Sequence, residues 1–130
     1  NMKWIDQQSW VAQQKEIEQY VEKWRVDWES QEHSRYITNY SKQYRDGSRD
    51  FNSFSEYKQR VNASKRFIKV GLKDVSLFTY PNDPNLMVAT FNQDYQSDSY
   101  QGESIKRQYW VKEEGHWRIA YEGDPSRGIP

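Results

Sequence analysis

The fold class is decided by residues 68–77, IKVGLKDVSL, where the spacing of apolar residues changes from a helical to a strand period. Apolar residues occupy every second position from Ile68 to Leu72, which predicts a β-strand with one buried face. Val75 and Leu77 continue the alternation in the opposite parity, so we expect a β-bulge at Lys73-Asp74. Such a bulge would bend the strand and curve its sheet.

Three more strands are predicted downstream of this stretch. The turn-forming residues 81–85, PNDPN, separate the first strand from a second one over residues 86–97. A polar loop then leads to a third strand over residues 103–112, and the turn 113–115 leads to a fourth over residues 116–122. Consecutive strands joined in this way are expected to pair antiparallel.

Upstream of the stretch, the apolar spacing predicts three helices. The first covers about residues 9–30, and its apolar residues recur at intervals of three, four or seven: Trp10, Ile17, Val21, Trp24 and Trp28. A second, shorter helix is expected over residues 30–44, before the turn signal at residues 46–48. Ser53 and Glu56 match a capping box, which predicts a third helix ending at about residue 66.

Helices followed by consecutive strands predict an α+β domain. We expect three N-terminal helices to pack on one face of a curved antiparallel sheet of four strands or slightly more, so that helices and sheet enclose a cone. The domain is predicted to cover residues 9–123, with an N-terminal extension at residues 1–8 and a tail at residues 124–130.

The composition fits a domain whose core is built from Trp and Tyr. The chain has six Trp and ten Tyr, and its 19 acidic and 19 basic side chains cancel. Without a basic stripe to neutralise phosphates, nucleic acid is not expected as a partner, and no apolar run is long enough to span a membrane. Cysteine is absent, and His33 and His116 are predicted to lie far apart, so neither a metal ion nor another cofactor is expected.

Four motifs occur in a distinctive order: residues 24–28 with Tyr36 and Tyr40, then 91–100, 106–110 and 115–122. In this order the chain resembles the nuclear transport factor 2-like superfamily of SnoaL-like cones, over about residues 9–123. It is similar to the branch found as an accessory domain with bacterial L,D-transpeptidases and cell-envelope proteins. The resemblance implies a periplasmic or envelope location, with the signal peptide absent from this fragment. It also implies recognition of a cell-wall glycan or peptide, or of a neighbouring domain, while the catalytic cysteine of any transpeptidase would lie outside this chain.

Pairing of the last two strands gives Glu122 a cationic neighbour. A two-residue turn would place Trp110 opposite Ile119 and Arg107 opposite Glu122, whereas a longer turn would bring Lys106 opposite Glu122. Such a cross-strand pair is more often an exposed ion pair, which contributes under about 1 kcal/mol to stability. If the pair lines the cone, it is suited to hold a carboxylate or sugar hydroxyls.

Other candidate binding residues lie on the same strands. Gln93 and Tyr95 share one side of the second strand, which predicts an amide and a phenol at the wide end of the cone; a backbone group is the commoner partner for such an amide. Tyr109 and Trp110 cannot both face inward, so one of them is expected to be exposed, where it would stack on a sugar or support a dimer. The predicted ligand-binding set is Gln93, Tyr95, Lys106, Arg107, Tyr109, Trp110, Trp117 and Glu122.

Three functions remain open from the sequence. The favoured one is a non-catalytic ligand-binding or accessory domain of a cell-envelope protein, with no catalytic residue assigned. The enzyme alternative is a small isomerase or hydrolase that uses Glu122 as general base and Tyr95 or Tyr109 as hydrogen-bond donor. The third is a homodimerisation module.

Overall fold

The helices of the chain precede its sheet, as the change of period predicts. The computed structural model describes residues 2–80 and 82–124, with side chains from residue 11 onward in these ranges. The first half contains α1 (Met2–Ser30), α2 (His33–Tyr36), a 3-10 turn (Ile37–Asn39), β1 (Arg45–Asp46), β2 (Arg49–Asp50) and α3 (Phe51–Ala63). The second half contains β3 (Ile68–Tyr80), β4 (Asp83–Ser97), β5 (Gln101–Glu113) and β6 (His116–Gly123).

The four long strands form one antiparallel sheet in the order β3-β4-β5-β6, and β1 and β2 form a separate two-stranded hairpin. Three helices and a four-stranded antiparallel sheet confirm the predicted α+β class. The sheet is a simple meander, because each strand pairs with the next one along the chain.

The predicted bulge in β3 is confirmed. The register between β3 and β4 shifts between Lys73 and Ser76, and Asp74 has a positive φ of 54°. Beyond the bulge Leu77 turns to the buried face, whereas Val75 lies within the irregular stretch and is 42% exposed. One extra residue therefore changes which side chains of β3 reach the core.

Two helices differ in extent from their predictions. Helix α1 begins at Met2 rather than near residue 9, since no Gly or Pro interrupts residues 2–8, and the expected extension is continuous in backbone with the helix. The predicted second helix is much shorter, because the 3-10 turn ends at Asn39 and Tyr40 forms a parallel bridge with Ile119 of β6. The tail is described only at Asp124, and residues 125–130 lie outside the described residues.

The capping box of α3 lies three residues earlier than predicted. Asp50 is the N-cap: its carboxylate accepts the Ser53 N–H at 2.9 Å, and the Ser53 hydroxyl accepts the Asp50 N–H at 3.0 Å. Ser53 is thus the third helical residue and not the cap. Phe54 of this helix lies in the core, and Lys58, one turn later, lies over the ring of Trp28.

The core lies between the helices and the inner face of the sheet, and it is aromatic as the composition predicts. The largest fully buried rings come from both layers: Trp24, Tyr36, Tyr40, Tyr44, Phe91, Trp110 and Trp117. Trp24 contacts Trp28 at 5.3 Å and Phe91 at 5.8 Å between ring centroids. Among the described residues, no helix combines the length and apolar character that crossing a membrane requires.

Candidate functional site

A groove opens between α3 and the inner face of the sheet. It consists of two adjoining cavities, which we call the Trp28 lobe (about 290 Å³) and the Glu122 lobe (about 210 Å³). Lys58, Ser104 and Lys106 line both lobes. The Trp28 lobe is otherwise lined by Trp28, Val61, Asn62, Lys65, Gln93, Tyr95, Tyr100, Gly102 and Glu103. The Glu122 lobe is otherwise lined by Tyr44, Asp46, Arg49, Phe54, Tyr57, Ile105, Glu122, Gly123 and Asp124.

Two lysines meet over one tryptophan at the junction of the lobes. Lys58 Nζ lies 5.3 Å and Lys106 Nζ 5.0 Å from the centroid of Trp28. Burial, and after it the charge of Lys106, lower the pKa of Lys58 to about 8, against the opposing effect of Glu122. The ring faces of Trp28 and Trp24 offset part of the cost of desolvating these ammonium groups.

Lys58 is a groove residue that is absent from the predicted ligand-binding set. It follows Phe54 by four positions and precedes Val61 by three, so it occupies the apolar face of α3. A lysine on the apolar face of an amphipathic helix is the signal that identifies it. The sequence predicts Trp28 only as an apolar residue of the first helix, and its ring also forms part of the groove wall.

Glu122 lies at the centre of a hydrogen-bond network on the other side of the lysines. Its Oε2 accepts from the Tyr40 hydroxyl at 2.9 Å and from Gln108 Nε2 at 2.7 Å, while its Oε1 lies 3.9 Å from Lys106 Nζ. Trp110 Nε1 in turn donates to Gln108 Oε1 at 3.1 Å. The side chains of Lys106 and Glu122 are only 17% and 7% exposed, so the alternative of an exposed ion pair is wrong.

The register of β5 and β6 explains which cation reaches Glu122. Trp110 pairs with Ile119 as predicted, but a register shift between Tyr109 and Trp110 places Gln108 opposite Glu122. Arg107 therefore pairs with Gly123 on the opposite face, and the prediction that it faces Glu122 is wrong. Lys106 reaches Glu122 diagonally, because it lies two residues from Gln108 on the same face.

The donor to Glu122 is also different from the two phenols proposed for an enzyme. Tyr95 stacks on Trp28 at 5.2 Å, and Tyr109 packs edge-on against Tyr121 at 5.7 Å on the outer face. Tyr40 supplies the hydroxyl instead, and burial together with the charge of Glu122 raises its pKa well above the ordinary value. Tyr40 therefore remains a protonated donor, and the pairing of Glu122 with Tyr95 or Tyr109 is wrong.

Gln93 contributes an acceptor without a partner to the Trp28 lobe. Gln93 is 7% exposed, and its Oε1 is buried with no hydrogen-bond partner among the residues that the structure describes. A backbone partner, the commoner case for a buried amide, is therefore not what satisfies this oxygen. Leaving a buried acceptor unsatisfied costs about 1–3 kcal/mol, which a ligand with an N–H or O–H donor would recover.

The structure brings together half of the predicted set. Gln93, Tyr95, Lys106 and Glu122 line the groove. Trp110 and Trp117 are core residues, and Trp117 Nε1 donates to Glu16 at 2.6 Å. Arg107 and Tyr109 lie on the outer face of β5, since they alternate with Gln108 and Trp110.

These residues give the groove the chemistry of a polar binding site. The two ammonium groups are able to donate hydrogen bonds to an anion, Gln93 Oε1 is able to accept one, and Trp28 and Tyr95 provide flat apolar surfaces. Over the described part of the chain, no group of three or more His, Asp or Glu side chains is arranged to hold a metal ion.

Comparison with known families and structures supports the fold. Residues 16–123 match the family model described as the Cds6 C-terminal NTF2-like domain. A search among curated proteins returned no match.

Three solved structures are similar to this chain. Bd1075 of Bdellovibrio bacteriovorus shares 24% identity at a TM-score of 0.77, over 85% of this chain and 39% of its own. A mutant of the helical cell shape determining protein Pgp2 of Campylobacter jejuni shares 22% sequence identity at a TM-score of 0.72. The match covers 80% of this chain and 38% of Pgp2. An NTF2-like protein of unknown function from Pseudomonas putida shares 13% sequence identity at a TM-score of 0.73. The match covers 86% of this chain and 84% of that protein. At these identities the likeness is one of fold, and the chain spans less than two fifths of the first two proteins.

Proposed function

The chain belongs to the family of the Cds6 C-terminal NTF2-like domain, and from this premise we propose that it is a non-catalytic binding domain of a bacterial cell-envelope protein. In this proposal the groove holds a cell-wall glycan or peptide, and the whole protein is periplasmic or otherwise in the envelope. The observation that carries the proposal is the pair Lys58 and Lys106 over Trp28, beside the unpartnered Gln93 Oε1. The similarity to a cell shape determining protein supports the envelope setting.

The geometry around Glu122 favours binding over catalysis. A general base needs an oxygen that can reach a substrate proton. Glu122 Oε2 already accepts hydrogen bonds from Tyr40 and Gln108, and Oε1 is oriented toward Lys106. The Glu122 carboxylate thus holds its neighbours in place. The family resemblance favours an accessory role for this domain beside a catalytic domain such as an L,D-transpeptidase.

Binding to isolated cell-wall sacculi, and to the soluble muropeptides released from them, tests this function. We expect the wild-type chain to sediment with sacculi and to show muropeptide-dependent NMR shifts at the indole N–H of Trp28. Lys58→Met should reduce both signals, whereas Lys69→Met removes an equal charge from an exposed position on β3 and should not. Failure of the wild type to bind either sacculi or muropeptides at millimolar concentration would overturn the proposal.

Homodimerisation is a second candidate, favoured by an apolar row on the outer face of the sheet. Phe78, Val88, Tyr109 and Tyr121 are aligned across all four strands, and Phe78 is 56% exposed. Sedimentation velocity at several concentrations should show a dimer that Phe78→Ser weakens and that Phe67→Ser, outside the row, leaves intact. A chain that is monomeric at every concentration would remove this candidate.

A further inference from the structure

We propose that the Trp28 lobe recognises a carboxylate with an N–H donor beside it, the chemistry of an N-acylated peptide C-terminus or of an N-acylated sugar acid. This inference rests on the proposed binding function and names the ligand group that the groove selects. It depends on three observations: the lysines, the glutamine and the aromatic wall.

The lysines supply the anion-binding part of the site. Lys58 and Lys106 line the same cavity and lie 5.3 Å and 5.0 Å from the centroid of Trp28, and the charge of Lys106 acts on Lys58. Lys106 has Glu122 as a partner at 3.9 Å, but Lys58 is in no ion pair with any residue that the structure describes. One carboxylate therefore has both ammonium groups to bind, and its charge would relieve their mutual repulsion.

The third lysine of the lobe is already engaged. Lys65 Nζ donates to the Ser99 hydroxyl at 2.7 Å, which ties the segment after α3 to the loop after β4. Glu103 is the acidic residue of the lobe and lies at its exposed rim. The unpaired positive charge is thus concentrated at Lys58, at the junction of the two lobes.

Gln93 defines what must lie beside the carboxylate. Its buried Oε1 accepts no hydrogen bond within the described residues, and it lines the same lobe as the two lysines. A plain carboxylate has no donor to offer this oxygen, whereas an N-acyl amino acid presents an N–H next to its carboxylate. Trp28 and Tyr95, 5.2 Å apart between centroids, then pack against the acyl or sugar part of the ligand.

Matched pairs of small ligands test the inference by calorimetry or NMR titration. N-acetyl-alanyl-alanine is compared with its C-terminal amide, and N-acetylmuramic acid with N-acetylglucosamine, which lacks the carboxylate. We expect at least one acid to bind about tenfold more tightly than its uncharged counterpart, as charge-assisted hydrogen bonds allow. The pair that shows the preference identifies the source as peptide or sugar.

Variants separate the two halves of the site. Lys58→Met should reduce the preference for the acid toward unity, and it removes an unpaired cation, so it is not expected to harm folding. Gln93→Leu should weaken acid and amide alike by about tenfold and leave their ratio unchanged. Lys69→Met serves as the matched charge control.

The inference is overturned if acids and uncharged counterparts bind equally, or if Lys58→Met leaves their ratio unchanged. It is also overturned if no small carboxylate binds while sacculi still do, a result that leaves the proposed function standing. Loss of sacculus binding as well would count against both.

Discussion

Two buried glutamines on the inner face of neighbouring strands differ in how their amides are satisfied. Gln108 of β5 donates to Glu122 at 2.7 Å and accepts from Trp110 at 3.1 Å. Gln93 of β4 is also buried, but its Oε1 has no partner in the described part of the chain. Residue type and burial are the same, so only the surroundings distinguish them. The Gln108 amide joins Glu122 to Trp110, and the Gln93 amide leaves a buried acceptor unsatisfied in the wall of the groove.

The largest loss of stability is expected when Glu122, at the centre of the hydrogen-bond network that includes Gln108, is replaced. Glu122→Leu leaves Lys106 without its carboxylate and Gln108 without an acceptor, so the free energy of unfolding should fall by about 3 kcal/mol. Urea denaturation measures this change. Glu122→Gln is the control, since it keeps an acceptor at the same place and should cost about 1 kcal/mol. Equal losses in the two variants would show that the network is not what stabilises this region.

Gln108→Leu should produce the next largest effect. It leaves Glu122 with one hydrogen bond fewer and the indole N–H of Trp110 without its acceptor, in a fully buried position. We expect the free energy of unfolding to fall by about 2 kcal/mol. A loss below about 0.5 kcal/mol would erase the distinction between the two glutamines.

The pH dependence of stability should reveal the desolvated lysine. The pKa of Lys58 falls from 10.5 to about 8 on folding, so between these values the unfolded chain binds more protons there and stability rises with pH. One proton contributes at most about 1.4 kcal/mol per pH unit. Lys106, Glu122, Arg49 and Asp46 also act on Lys58, and they remain in Lys58→Met.

The measurement is therefore the difference between wild type and Lys58→Met in urea denaturation at pH 7.5, 8.5 and 9.5. Wild type should gain stability relative to the variant as the pH rises. A difference that stays constant over this range would mean that Lys58 is not desolvated in the folded protein.

The smallest loss of stability is expected for Gln93→Leu, and this variant distinguishes the two glutamines most clearly. Because Oε1 has no partner to lose and the cost of its unsatisfied burial disappears, the free energy of unfolding should not fall, and it should rise by up to about 1–3 kcal/mol. The melting temperature of this variant should accordingly be at least that of wild type, in contrast to Gln108→Leu. A loss as large as that of Gln108→Leu would show that Gln93 is structural.

The fold was predictable from the sequence because its signals are local. The change of period at Ile68, the parity change at Asp74 and the turn residues after β3 each depend on neighbouring residues alone. The second helix was not predictable in this way, since it ends where Tyr40 pairs with Ile119, about eighty residues further along the chain. The cap of α3 was misplaced because Asp50 and Ser53 are both good caps, and only the contacts between them distinguish their roles.

The candidate site was predictable in part for the same reason. Gln93, Tyr95 and Glu122 follow from strand parity, but the neighbour of Glu122 depended on a register shift that no local pattern marks. Lys58 comes from a different layer of the fold, and its meeting with Lys106 over Trp28 is a consequence of tertiary packing. The signal in the sequence for Lys58 as a groove residue was a lysine on the apolar face of a helix.

The extra residue at Asp74 acts on β3 as an insertion acts on a reading frame. Before it, even-numbered side chains from Ile68 to Leu72 point to the core; after it, Leu77 does and Phe78 points outward. A regular strand with the same number of residues would exchange the two, burying Phe78 and exposing Leu77. The bulge in this strand, as well as its composition, thus sets which surface this domain shows to its surroundings.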